Sequence, residues 1–72
     1  DPSTERVQRF MTAAQHAMAE GDFDIAAKRL IYARDADPTD TAVLRLLTLA
    51  FWQAGNLEAA GRAVRDLSLI HI

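Results

Sequence analysis

The chain of 72 residues contains no cysteine. A disulfide framework and a metal site built from thiolates are therefore excluded. No apolar run approaches the roughly 20 residues that a helix needs to cross a bilayer. Positive charge does not predominate either, because 8 Lys and Arg stand against 10 Asp and Glu, for a formal net charge of −2. Without a general basic surface, binding to nucleic acid is not expected.

The chain also lacks an initiating methionine and a recognisable signal peptide, since it begins with Asp1. We therefore expect a fragment of a longer protein. The length allows one small domain, which buries roughly 60% of the surface that its unfolded form exposes. Half of the residues are apolar, and this is typical of a folded chain. Nothing in the composition indicates a cellular compartment.

What the chain does contain is an internal repeat, whose period of about 34 residues separates Gly21 from Gly55. Among the matched pairs one glycine recurs as glycine, one alanine as alanine, and two charged residues as residues of the same sign. A fixed period of this length indicates stacked helical hairpins, because one hairpin cannot bury its apolar face alone. The matched pairs are Phe10 with Leu44, Gly21 with Gly55, Phe23 with Leu57, Asp24 with Glu58, Ala26 with Ala60, Lys28 with Arg62, and Leu30 with Val64.

The apolar spacing is helical throughout and predicts four helices in two antiparallel hairpins. The first helix is predicted over about residues 3 to 20. Gly21 ends it and Gly55 ends the third helix, while the second ends before Pro38, because proline has no backbone N–H to donate. The expected N-terminal caps are Asp1 or Ser3, then Asp22, then Thr39 or Asp40, and finally Asn56.

Two further patterns support this register. Ion pairs one helical turn apart are expected between Asp24 and Lys28 and between Glu58 and Arg62. The positions expected to face the core are Val7, Phe10, Ala13, Ala14 and Ala17 in the first helix, Phe23, Ala26, Ala27, Leu30 and Ala33 in the second, Leu44, Leu47 and Phe51 in the third, and Leu57, Ala60 and Val64 in the fourth.

These residues resemble the tetratricopeptide repeat. The resemblance implies an all-α fold in which two antiparallel helix-turn-helix hairpins stack as a fragment of a right-handed superhelix, an α-solenoid. Residues 1–6 are expected to form an N-terminal cap or the end of a preceding segment. Repeat one is expected over 7–40, and an incomplete repeat two over 41–72. The departures from the family pattern are Ala17 in place of tyrosine, Thr48 in place of a small residue, and Ile72 in place of proline.

The last six residues, 67–72, depart from the repeat pattern. They also read as the translation of a transposase adapter end that is common in sequencing libraries. We interpret them as a non-native tail, so that the native segment ends near Asp66. The alternative is a genuine apolar helix end that meets a third repeat. His71 lies in this tail and is not used as a candidate site residue.

The resemblance also implies a concave groove lined by the first helix of each hairpin, which binds a peptide or a partner protein. The lining predicted here is apolar and rich in amides, and it suits an apolar or amphipathic peptide. Family members that grip a terminal carboxylate need lysine and asparagine at positions where this chain has Met11, Gln15 and Leu49. The predicted groove residues are Gln8, Met11, Gln15, Met18, Ala19, Ala42, Arg45, Leu49, Trp52 and Gln53.

Several alternatives accompany this hypothesis. Met18 is expected to pack inside the protein rather than contact a ligand, whereas both roles stay open for Trp52. The chain is alternatively a self-association module that pairs through the exposed ends of the array, or an accessory scaffold domain of a larger protein whose activity lies elsewhere. The pentatricopeptide repeat, which binds RNA, has a similar period, but its basic channel conflicts with the acidic balance of this chain.

No chemistry is predicted for the chain. His16 and Glu20 lie one helical turn apart, but a metal site needs three or four ligands and no third is evident. The histidines have no base, orienting group and pocket around them that would make a catalytic set. The chain is therefore expected to need no cofactor and to have no enzymatic activity.

Overall fold

The computed structural model describes residues 1–70 and contains four α-helices and no strand in that range. The expectations for His71 and Ile72 lie outside the described residues. The predicted all-α class is confirmed, as is the number of helices. The helices are α1 (Pro2–Ala19), α2 (Phe23–Ala36), α3 (Thr41–Gln53) and α4 (Leu57–Ile70).

The two hairpin turns have the same backbone geometry. Gly21 and Gly55 have φ values of 82° and 84°, in the left-handed region that favours glycine. The amide after each glycine, of Asp22 or Asn56, donates 2.8 Å to a carbonyl five residues earlier. This is the Schellman arrangement, which satisfies the last carbonyls of a helix. The predicted helix ends at these glycines are therefore confirmed.

Side-chain caps start three of the helices. The carboxylates of Asp1 and Asp40 and the amide oxygen of Asn56 accept backbone N–H bonds of 2.9–3.2 Å in the first turns of α1, α3 and α4. Asp22 stands at the predicted N-cap position of α2, but its side chain accepts no such bond. Its ψ of 69° lies outside the extended geometry of Asp40, whose ψ is 107°.

The helices pack in chain order, α1 on α2, α2 on α3 and α3 on α4. The Cα positions span 33 × 28 × 13 Å, so the helices form a thin slab. Alanine dominates the core and lets the helices approach closely. The buried residues are Val7, Ala14, Ala17, Ala26, Ala27, Leu30, Ala33, Val43, Leu44, Leu47, Ala50, Ala59, Ala60 and Ala63.

Three residues that the sequence places in the core are exposed. Ala13 points away from the buried side of α1, which Val7, Ala14 and Ala17 form. Leu57 and Val64 are 65% and 47% exposed, because α4 turns a different side, built from alanines, toward α3. These predictions of core positions are wrong. A helix that contacts one neighbour buries a narrower stripe than a helix that lies between two neighbours.

Of the two expected ion pairs, the one in the second repeat is formed. Arg62 donates to Glu58 at 3.2 Å, with both side chains exposed. Asp24 and Lys28 do not form the equivalent contact, and no other ion pair occurs within residues 1–70. The prediction for Asp24 is therefore wrong. An exposed pair of this kind contributes only about 0.3–0.5 kcal/mol. The entropy cost of fixing two long side chains readily offsets this gain.

Candidate peptide-binding surface

The exposed side of α3 carries a stripe formed by Arg45, Leu49 and Trp52, called here the α3 stripe. The residues are spaced by four and then three positions, so they follow one another along one side of the helix. Arg45 is exposed, Leu49 is 39% exposed and Trp52 is 65% exposed. The orientation follows from the other side of α3, where four apolar residues are buried: Val43, Leu44, Leu47 and Ala50.

Two more of the predicted groove residues lie on α3 beside this stripe. Gln53 is exposed, and Ala42 is half-buried next to the cap of the helix. With them, all five positions predicted on α3 have at least part of their surface accessible. Trp52 is the chain's sole tryptophan, and its indole has an apolar body with one N–H donor. The α3 stripe therefore presents an aromatic side chain, an aliphatic side chain and a cation to solvent.

The α1 positions of the predicted groove divide into two groups. Gln8, Gln15 and Ala19 are exposed. Met11 and Met18 are half-buried and pack against the main core cluster. For Met18 this agrees with the expected packing role. Thioethers on flexible stems fill irregular gaps of this kind.

An open, shallow depression lies on α1 beside the exposed amide of Gln15. Its lining is Thr12, Gln15, His16 and Ala19. Sequence reasoning does not connect Thr12 to the groove, and it considers His16 only for metal binding and for catalysis. The spacing of four residues within each of the pairs Thr12–His16 and Gln15–Ala19 is the available signal.

The charge pattern leaves Arg45 without an ion pair among residues 1–70, where Glu58 with Arg62 is the sole pair. The same residues hold no group of three His, Asp or Glu side chains able to bind a metal ion. None of the four helices has the length and apolar character required to span a bilayer.

Two hairpins that share one turn geometry, one repeat register and packing in chain order define a helical-repeat protein. The family model described as tetratricopeptide repeat matches residues 17–71, which is most of the chain. The chain therefore belongs to the tetratricopeptide repeat family, and the resemblance noted in the sequence is confirmed. No curated protein and no solved structure gave a significant match.

Membership carries a general function. Repeats of this family generally serve as protein–protein interaction modules and are typically not catalytic. They bind proteins or peptides. Family membership does not identify which residues of this chain contact a ligand or what kind of ligand binds.

Proposed function

We propose that the chain binds an apolar or amphipathic peptide segment across α1 and α3, with the α3 stripe as the principal contact. The observation that carries this proposal is the 65% exposure of Trp52 beside the exposed Leu49. Large apolar side chains exposed together are unusual unless a partner covers them. Tryptophan is enriched among the residues that dominate binding energy.

The charge on the α3 stripe specifies the peptide further. Arg45 is exposed and has no carboxylate partner among the described residues. It lies seven positions before Trp52, which is about 10 Å along a helix axis. A matching peptide carries an apolar anchor for Trp52 and an acidic residue at about 10 Å from that anchor.

Amides complete the proposed groove. Gln8, Gln15 and Gln53 are exposed, and each offers two N–H donors and one carbonyl acceptor. These groups suit the backbone of a peptide and carry no charge requirement. The half-buried Met11 and Met18 form the floor in this proposal, where they adapt to the shape of an apolar side chain.

The proposal assigns binding to this chain and no reaction. The His16 side chain lies in a depression whose other lining residues are Thr12, Gln15 and Ala19. No carboxylate in that lining orients it, and a catalytic set needs such a group. Measurable turnover of any substrate by the purified chain contradicts this part of the proposal.

The single tryptophan gives a direct test. A random peptide library is panned against the immobilised chain, and selected peptides are titrated while Trp52 fluorescence is recorded. We expect the selected peptides to share an apolar anchor and an acidic residue. We expect the emission to shift to shorter wavelength on binding, because the indole becomes buried.

Matched variants complete the test, with affinity measured by calorimetry. Trp52→Ala is expected to weaken binding by roughly 30-fold or more, since anchors of this type contribute about 2 kcal/mol or more. Arg45→Ala is expected to weaken it less and to remove its salt dependence. Ile25→Ala, a change at an exposed apolar residue of α2, is the control. Equal losses for Ile25→Ala and Trp52→Ala contradict the proposed surface.

A further inference from the structure

The sulfur atoms of the chain are confined to α1. The sequence has no cysteine and two methionines, Met11 and Met18. They are seven positions apart, which is about two helical turns, so both lie on the same side of α1. Both side chains are half-buried. A thioether in a partly exposed side chain is open to attack by a small oxidant, because susceptibility to oxidation follows exposure.

Met11 has a place in the packing that Met18 does not share. Met18 packs against the main core cluster, which is the larger of two. Met11 packs against that cluster and also against the second one, which is formed by Val7, Ala33 and Val43. This second cluster draws one residue from each of α1, α2 and α3. Among residues 1–70 no other half-buried side chain packs against both clusters, so Met11 joins the two parts of the core.

This core offers nothing to an oxidised sulfur. Within residues 1–70 every buried residue is apolar. Oxidation to the sulfoxide converts the apolar thioether of Met11 into a polar group, which needs a hydrogen-bond donor or water. If the sulfoxide turns inward, its oxygen is buried without a partner. If it turns outward, the side chain leaves the two clusters. Both outcomes weaken the packing of α1.

The second repeat has no equivalent group. The counterparts of Met11 and Met18, one repeat later, are Arg45 and Trp52. Both of these side chains are exposed, so neither supports the core of its own hairpin. An oxidant that attacks thioethers therefore acts on the first hairpin and on its contact with α3.

We propose that Met11 is an oxidation site, at which a peroxide loosens the junction of α1, α2 and α3. Hydrogen peroxide transfers one oxygen atom to the thioether: an S–O bond forms, the O–O bond breaks, and the other oxygen leaves as water with both protons. The sulfur loses two electrons and the peroxide gains them. Methionine sulfoxide reductases reverse this change, so the site works as a switch.

Peroxide treatment of the whole chain, followed by urea unfolding, tests the site. Mass spectrometry is expected to show one added oxygen atom on each methionine, and peptide mapping verifies that Trp52 is unchanged. We expect the urea midpoint, followed by far-UV circular dichroism, to fall after oxidation and to return after treatment with methionine sulfoxide reductase. An unchanged midpoint overturns the proposal, and so does a Met11 that takes up no oxygen while the chain is folded.

Leucine variants separate the two methionines, because leucine has a similar volume and is not oxidised by peroxide. Met18→Leu leaves Met11 as the sole thioether, and oxidation is expected to lower its midpoint nearly as far as that of the parent chain. Met11→Leu leaves Met18, which packs against one cluster, and a much smaller fall is expected. Equal falls in the two variants overturn the proposal. If Met11→Leu does not fold, a small fall in Met18→Leu beside a large one in the parent overturns it.

The effect on ligand binding rests on the proposed function, in which Met11 forms part of the groove floor. A peptide selected on the unoxidised chain is expected to bind the oxidised chain less tightly and to regain its affinity after treatment with the reductase. Equal affinity of both forms, with a lowered urea midpoint, overturns the coupling to binding. If no peptide is selected, the proposed function is contradicted, while the unfolding measurements still decide the oxidation site.

Discussion

The second helices of the two hairpins, α2 and α4, occupy the same place in the repeat and have different surroundings. Leu30 is fully buried, whereas its counterpart Val64 is 47% exposed. Phe23 is half-buried, whereas its counterpart Leu57 is 65% exposed. The repeat determines that these positions are apolar, but the helix that follows determines whether their side chains are buried. In α2 that helix is α3, and within residues 1–70 no helix follows α4.

The largest expected difference comes from truncating matched residues. Leu30→Ala is expected to lower the free energy of unfolding by about 2–5 kcal/mol, because it opens a cavity in the core. Val64→Ala is expected to change it by less than about 0.5 kcal/mol, as is usual for exposed positions. Urea unfolding followed by far-UV circular dichroism measures both. If Leu30→Ala does not fold while Val64→Ala does, the difference in burial between the two positions is also supported. Equal losses of stability in the two variants contradict it.

Overpacking tests a position where the two repeats agree. Ala26 and Ala60 are both buried, at matched places in the second helix of each hairpin. Ala26→Leu and Ala60→Leu are each expected to destabilise the chain by about 1–3 kcal/mol, because the added methylenes push the helices apart. Thermal unfolding of the two variants provides the measurement. Unchanged stability in both means that the register of the helices is wrong.

The capping residues differ between the repeats and predict a smaller effect. Asn56 accepts a bond of 3.2 Å from the amide of Ala59, whereas Asp22 at the matched position makes no side-chain capping bond. Asn56→Ala is therefore expected to cost about 1 kcal/mol. Asp22→Ala is expected to cost only a few tenths, since it loses mainly the favourable charge at the helix start. A larger loss for Asp22→Ala reverses this ranking.

A last comparison concerns Gly61 of α4 and Ala27, its counterpart in α2. Gly61 lies inside a helix with open space around it, so Gly61→Ala is expected to stabilise the monomer by about 0.4–1 kcal/mol. Ala27→Gly, the reverse change at the matched position, is expected to destabilise by about 1 kcal/mol or more, because Ala27 is buried. Chemical denaturation at low protein concentration separates these effects from self-association. A loss of stability in Gly61→Ala contradicts the open space around Gly61.

Local features of the fold follow from the sequence, because their causes lie within a few residues. Gly21 and Gly55 end helices through a backbone conformation that other residues rarely adopt. Pro38 limits α2, whose last residue is Ala36. The sequence narrows the cap of α3 to two residues, and the structure assigns it to Asp40. The division into repeats over 7–40 and 41–72 stays a prediction.

Features that depend on distant contacts do not follow from the sequence. The repeat pattern treats Leu57 and Val64 like Phe23 and Leu30, but it does not state whether a helix covers them. The ring of Phe10 stacks on that of Tyr32, with centroids 5.3 Å apart. Tyr32 is 52% exposed, and the repeat pattern does not include it among the packing residues. Both cases depend on which helices are neighbours.

The candidate site also has features that the sequence predicts and features that it does not. Helical spacing predicts that Arg45, Leu49 and Trp52 share one side of α3, and the structure exposes all three. It does not predict the depression beside Gln15, since that shape depends on how side chains of different sizes stand on α1. The identity of the ligand depends on a second molecule, so the groove role of these residues stays a proposal.

The thin slab has a consequence for how the chain opens. Each helix packs most extensively on its partner in the same hairpin, and the contact between the hairpins, α2 on α3, is the least extensive of the three. Local opening is therefore expected to separate the two hairpins before it separates the helices within one hairpin. A ligand that contacts both hairpins would hold these two units together.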